Sequence, residues 1–190
     1  MTGYTLTKPV SVKVDIKKSS FIAHLFPLEM FDDYMEKLRT EHPKARHFVW
    51  ATRYINEHNQ IVENCSDDGE PKNTSGKPTL KVLQGHDIVN AGIITVRYFG
   101  GVKLGTGGLV RAYNDAGQEA VELAKLISLD SLSKLTLTVA YNQTKHVEYH
   151  IDRLKLKSIN TDFGVEDVTY TVQGESEKLD ELNDAITKAP

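Results

Sequence analysis

The chain has 190 residues, of which 39% are apolar and 26% charged, with a formal net charge of −3 and a single cysteine. This composition excludes intrinsic disorder, and it lacks the basic excess of a non-specific nucleic-acid binder, although a local basic patch is compatible with it. Cys65 alone excludes an intrachain disulfide, no apolar run approaches the ~18 residues of a membrane span, and residues 1–10 lack the apolar core of a signal peptide, so the chain reads as cytoplasmic.

Val10, Val12, Val14 and Ile16 alternate with polar residues, which predicts a half-buried strand. Residues 17–20 interrupt it, 21–26 form the partner strand, and Pro27 ends that strand. Phe31, Tyr34, Met35 and Leu38 mark one face of a helix over 29–41, which Pro43 stops. The aromatic and β-branched residues of 47–55, the polar turn 56–59 and residues 60–65 predict a hairpin. A loop over 66–76 leads to a short helix with Pro78 in its first turn, ending near Gly85. Residues 88–99, centred on the apolar run 93–96, read as a central strand. Five glycines within 100–108 then precede the longest helix, over 109–126, with Ala112, Ala116, Ala120, Val121 and Ala124 on and around a small-residue face.

A break near 128–133 is followed by a new pattern. Leu135, Leu137 and Val139 mark a strand, and Asn142 is placed to cap a helix carrying Val147, Ile151 and Leu154. Residues 159–163 and 165–172 are two more strands around Gly164, and a helix over 176–189 follows. The expected fold class is α+β in two domains, 1–130 and 131–190. The second has the order β-α-β-β-α, a ferredoxin-like half-sandwich without its last strand. The second domain carries the whole net negative charge, so the first is the better partner for a polyanion.

The most informative stretch is RYFGGVKLGTGGLVRAY, residues 97–113. A strand runs into a glycine loop that opens a helix, which offers unpaired N–H groups and the positive end of the helix dipole to an anion. Arg97, Tyr98, Gly100, Gly101, Lys103, Gly105, Gly107, Gly108 and Arg111 form the candidate anion- or nucleic-acid-binding set, with Lys103 and Arg111 adding charge. The spacing matches neither a Walker loop nor a dinucleotide fingerprint. The competing reading is a tight turn with close helix–sheet packing.

SDDGEP, residues 66–71, gathers Asp67, Asp68 and Glu70 on one loop. They could hold Mg²⁺ beside a phosphate, present an acidic edge to a protein partner, or cap a helix and pair with basic side chains. His47, at the start of a strand, is a further candidate site, as a general base or as a hydrogen-bonded structural residue. His146 and His150, one turn apart, read as a solvated helix face, and carboxylates near Cys65 argue against an activated thiol. No nucleophile stands out, and the role expected is non-enzymatic, with no cofactor unless the carboxylates take Mg²⁺.

These blocks, together with KKSSFIA at 17–23, His47 and GKP at 76–78, resemble the YigZ/IMPACT family in its bacterial two-domain branch. The chain departs from the family pattern at Phe48-Val49, where Asn-Cys is frequent, and at 73–76, where Asn-Thr-Ser-Gly replaces Gly-Thr-Ala-Gly. The resemblance implies a first domain with the second-domain fold of a small-subunit ribosomal protein. It also implies a second domain similar to one of elongation factor G. The function it implies is regulation of translation, through RNA or the ribosome or through a protein partner in the response to starvation. An Mg²⁺-dependent enzyme acting on a phosphate-containing substrate is the remaining alternative.

Overall fold

The computed structural model describes residues 3–187, which separate into two compact units, 3–127 and 128–187. In chain order the first contains β1 (Tyr4–Thr5), β2 (Val10–Ile16), β3 (Ser19–Pro27), α1 (Phe31–Glu41), β4 (His47–Ile55), β5 (Ile61–Ser66), α2 (Gly76–Gly85), β6 (Ala91–Tyr98) and α3 (Thr106–Leu123). A short strand, β7 (Ile127–Ser128), stands at the boundary and pairs with β1.

Strands β2 to β6 form one antiparallel sheet in the order β2-β3-β6-β4-β5. The alternation of side chains sends Phe21, Ala23 and Leu25, Val49 and Ala51, and Ala91 and Ile93 to one face, where α2 and α3 cover them. Phe26, Phe48, Ile94 and Val96 face the other way, under Leu38, Tyr34 and Phe31 of α1. Covered on both faces, β6 has only Tyr98 partly exposed, which accounts for its continuous apolar run. Each fully buried Leu, Ile or Phe of these layers contributes about 1.5–3 kcal/mol.

Small residues set how closely the helices lie. Ala112, Ala116 and Ala120 of α3 are fully buried. Gly117 meets α2 so tightly that a Cβ there would stand 3.0 Å from Val82.

Several boundaries differ from those read in the sequence. The break at 17–20 is only a two-residue turn: Lys17 and Lys18 take φ of 47° and 69°, and Ser19 already pairs with Ile16. Positive φ at both central positions is the hairpin geometry that matches strand twist, here adopted without glycine. Helix α2 starts at Gly76, two residues before Pro78, and α3 starts at Thr106, so Gly107 and Gly108 belong to its first turn. Strand β6 is shorter than 88–99 at both ends.

The second unit contains β8 (Leu132–Ala140), α4 (Thr144–Leu154), β9 (Lys157–Phe163), β10 (Asp167–Glu175) and α5 (Ser176–Thr187). Its antiparallel sheet has the order β8-β10-β9, and Leu137, Val139, Val168, Tyr170 and Val172 pack against Val147 and Ile151 of α4 and Leu179, Leu182 and Ile186 of α5. Asn142 does not cap α4. It lies in a single 3₁₀ turn (Tyr141–Gln143), and the cap residue is Gln143, which makes no side-chain cap bond. Among the described residues no strand follows α5; positions 188 and 189 of the expected helix lie outside them.

Candidate functional site

The C-terminal end of β6, the start of β4, the acidic turn and the loop before α3 enclose a cavity of about 830 Å³. It is lined by Lys44, Arg46, His47, Glu70, Pro71, Arg97, Tyr98, Phe99, Lys103, Leu104, Gly105, Thr106 and Leu109. The acidic turn and the glycine-rich loop therefore share one cleft.

Its floor is an ion pair. Arg97 Nη1 donates to Glu70 Oε1 at 2.5 Å, and the Tyr113 hydroxyl donates to the same oxygen at 2.8 Å. Both charged side chains are more than nine-tenths buried. A charge so placed is tolerable only with its partner beside it. Burial, and next the Glu70 charge, push the Tyr113 hydroxyl far above the usual tyrosine range. Arg97 also lies over the rings of Phe21 and Phe99, and its Nε is buried without a hydrogen-bond partner.

The other two carboxylates point elsewhere. Asp67 Oδ1 accepts from the backbone N–H of Ser75 and Gly76 and from the Ser75 hydroxyl, and Oδ2 accepts from Asn73 N–H. It thus satisfies donors at the start of α2 that Ser75 leaves without a side-chain cap. Burial works to raise its pKa, but these hydrogen bonds outweigh it and hold the carboxyl below the usual range. Asp68 Oδ2 accepts from Phe48 N–H at 2.7 Å, and Oδ1 lies 3.5 Å from Arg39. Capping and ion pairing occupy all three acids, in three directions. Among the described residues no group of three or more His, Cys, Asp or Glu side chains is arranged to hold a metal ion. An Mg²⁺ shell built from Asp67, Asp68 and Glu70 would require breaking those bonds.

His47 stands at the wall. Its Nδ1 is 2.9 Å from the Asp68 carbonyl oxygen, which can only accept, so Nδ1 carries the proton and Nε2 is the other nitrogen of the ring. Tyr98 is held from behind by a 2.9 Å hydrogen bond between its hydroxyl and His42 Nδ1. On the far side, Gly105 precedes α3 with φ of 73°, and no side chain caps this helix start. Gly105 and Thr106, at this start, line the cleft beside Lys103 and Leu104.

The sequence-derived binding set divides accordingly. Arg97, Tyr98, Lys103 and Gly105 line the cleft, as do Glu70 and His47. Gly100, Gly101, Gly107, Gly108 and Arg111 do not, and neither do Asp67 and Asp68. Gly100 has a packing role: its N–H donates to Ser19 Oγ, and a Cβ would collide with the Lys18 carbonyl. Arg111 is exposed on α3, five residues after the helix start at Thr106. The sequence reading missed Lys44, Arg46 and Phe99. The basic run leading from Pro43 into β4 was the available signal for the first two; nothing local distinguished Phe99 from a strand residue.

Lys44, Arg46 and Lys103 are exposed and form no ion pair among the described residues. Among the described residues the only acid in the lining is Glu70, which Arg97 neutralises. The cleft is therefore cationic in a chain whose net charge is negative. Cys65 is remote from catalysis in character as well: burial, and then the Asp67 charge, push its thiol up, away from the reactive thiolate.

Comparison with known proteins gives a consistent result. The family model described as the Impact N-terminal domain matches residues 17–121. An IMPACT family member of Haemophilus influenzae is 35% identical over 182 residues, covering 94% of this chain and 87% of that protein. IMPACT family member YigZ of Escherichia coli is 38% identical over 160 residues, covering 82% and 78%. A crystal structure described as that of an hypothetical protein superposes with a TM-score of 0.61 at 32% identity, covering 98% of this chain and 91% of that one. With a matching domain across more than half its length and relatives this similar over most of theirs, the chain belongs to the IMPACT family.

Proposed function

We propose that this chain is a non-enzymatic, translation-linked binding protein that takes RNA, free or in the ribosome, in the cationic cleft of its first unit. The observation that carries the reading is the convergence of Lys44, Arg46 and Lys103, without acidic partners among the described residues, on one cavity with Tyr98 and Phe99. Phosphates supply the charge such a set needs, and bases supply flat faces for the rings. The open start of α3 adds N–H donors for a phosphate oxygen. The family's association with translational control supplies the setting. The same reading includes the two fold assignments, a ribosomal-protein-like first unit and a ferredoxin-like second unit similar to a domain of elongation factor G. The β8-β10-β9 order with both helices on one core supports the latter.

In this reading Asp67, Asp68 and Glu70 are framework. They hold α2, β4 and β6 in the positions that shape the cleft, and neither Mg²⁺ nor an acidic docking edge is needed from them.

The test is binding of a fluorescent RNA to the full chain across a series of salt concentrations. Simultaneous Lys44→Ala, Arg46→Ala and Lys103→Ala changes are expected to weaken binding strongly. They should also reduce the slope of log K against log salt by about 2, on the order of 0.7 per lost phosphate contact. Arg111→Ala is expected to change little. Unaltered affinity and slope in the triple variant would overturn the reading.

A further inference from the structure

We infer that Phe99 is a base-stacking platform and that the RNA held in the cleft is single-stranded at that point. The inference rests on the reading of the cleft as an RNA site and adds the kind of RNA and the residue that selects it.

Phe99 follows directly on β6 and is 55% exposed, although it lines the cavity beside Lys103 and Leu104. A single exposed aromatic is ordinary on a protein surface. This one has a built support. The Arg97 guanidinium carbon lies 5.7 Å from the Phe99 ring centroid and 5.5 Å from that of Phe21. Arg97 is itself buried and held by Glu70, which in turn accepts from Tyr113. The Phe99 ring is thus backed by a cation that cannot swing away, while more than half of the residue faces solvent at the mouth of the cleft.

A ring presented in this way, with Lys44, Arg46 and Lys103 around the same cavity, matches a nucleotide unit: a base on the ring and flanking phosphates on the cations. A duplex cannot use it. In A-form RNA the base faces are covered by their neighbours, and a concave site meets only sugar edges and phosphates. Because every base has a flat face, the site is expected to tolerate any sequence.

The experiment measures anisotropy of a labelled 12-nucleotide RNA and of the blunt duplex of the same sequence with the full chain. The expected result is at least tenfold tighter binding of the single strand. Phe99→Ala and Phe99→Leu should both weaken single-strand binding about tenfold and leave duplex binding unchanged, and Phe99→Trp should restore it. The leucine variant keeps an apolar side chain, so a loss shared by both variants, with unaltered thermal unfolding, reports the ring. Equal affinity for strand and duplex, or single-strand binding unaffected by Phe99→Leu, overturns the inference. If RNA binds and the lysine and arginine changes abolish it, but strand and duplex bind equally or Phe99→Leu changes nothing, the cleft reading stands while stacking fails; if neither RNA binds, both fail.

Discussion

Glu70, from the acidic turn, and Arg97, the penultimate residue of the central strand, meet in the interior with 2.5 Å between Oε1 and Nη1. Residues 27 positions apart are thereby tied where β4, β6 and α3 converge, with Tyr113 as a third member. Removing one partner leaves a buried, uncompensated charge, at a cost of about 3–5 kcal/mol. Glu70→Ala is expected to lower the thermal midpoint markedly. Glu70→Gln should cost less because the amide oxygen can still accept from Tyr113. The double change Glu70→Gln with Arg97→Met should recover part of the loss, as read by urea unfolding.

Asp67 is expected to act through α2. Asp67→Ala removes three hydrogen bonds from the start of that helix and one from Asn73 in the loop before it, and should destabilise the chain by about 1–2 kcal/mol, the range of strong cap deletions. Its folded pKa lies below the unfolded value, so its contribution is complete above that value and is lost as pH falls through the folded pKa. Chemical unfolding at neutral and strongly acidic pH should show the Asp67→Ala difference at the former and its disappearance at the latter.

Gly100 and Gly101 should behave differently. Gly100→Ala places a Cβ against the Lys18 carbonyl and the Ser19 nitrogen, which are backbone atoms of the β2–β3 turn and cannot step aside cheaply. A destabilisation of about 2–4 kcal/mol is expected, comparable to severe overpacking. Gly101 has open space but φ of 85°, so Gly101→Ala should cost only about 1 kcal/mol of backbone strain. Paired urea titrations check the ordering.

His24 makes the fold acid-sensitive. Burial, and then the charges of His42 and Lys37, lower its pKa to about 4 from 6.5, and its Nε2 lacks a hydrogen-bond partner. The folded state holds the neutral ring, so the unfolded state binds the extra proton between these values. Stability is therefore full above about pH 6.5 and falls as pH drops toward 4. After allowance for solvent screening the loss is on the order of 2 kcal/mol. Thermal midpoints measured from pH 7 to pH 4 should fall less steeply for His24→Gln than for the parent chain.

Most of the order of elements was legible in the sequence, because apolar periodicity is local; the two-residue strands β1 and β7 were not, being too short to carry a pattern. Val10 to Ile16, the run around Ile93 and the alanine face of α3 each carry their pattern within a few residues. The sequence also singled out the stretch that bears the cleft, since glycine and acidic clusters are local too. What each of those residues does depends on long-range contacts. Whether Glu70 faces a metal, a partner or an arginine depends on Arg97 and Tyr113, 27 and 43 positions away, and no spacing rule encodes so distant a meeting. For the same reason Lys44, Arg46 and Phe99 entered the site and Arg111 left it. Strand pairing brings β4 beside β6, and the 3.6-residue turn of α3 moves Arg111 clear of the lining.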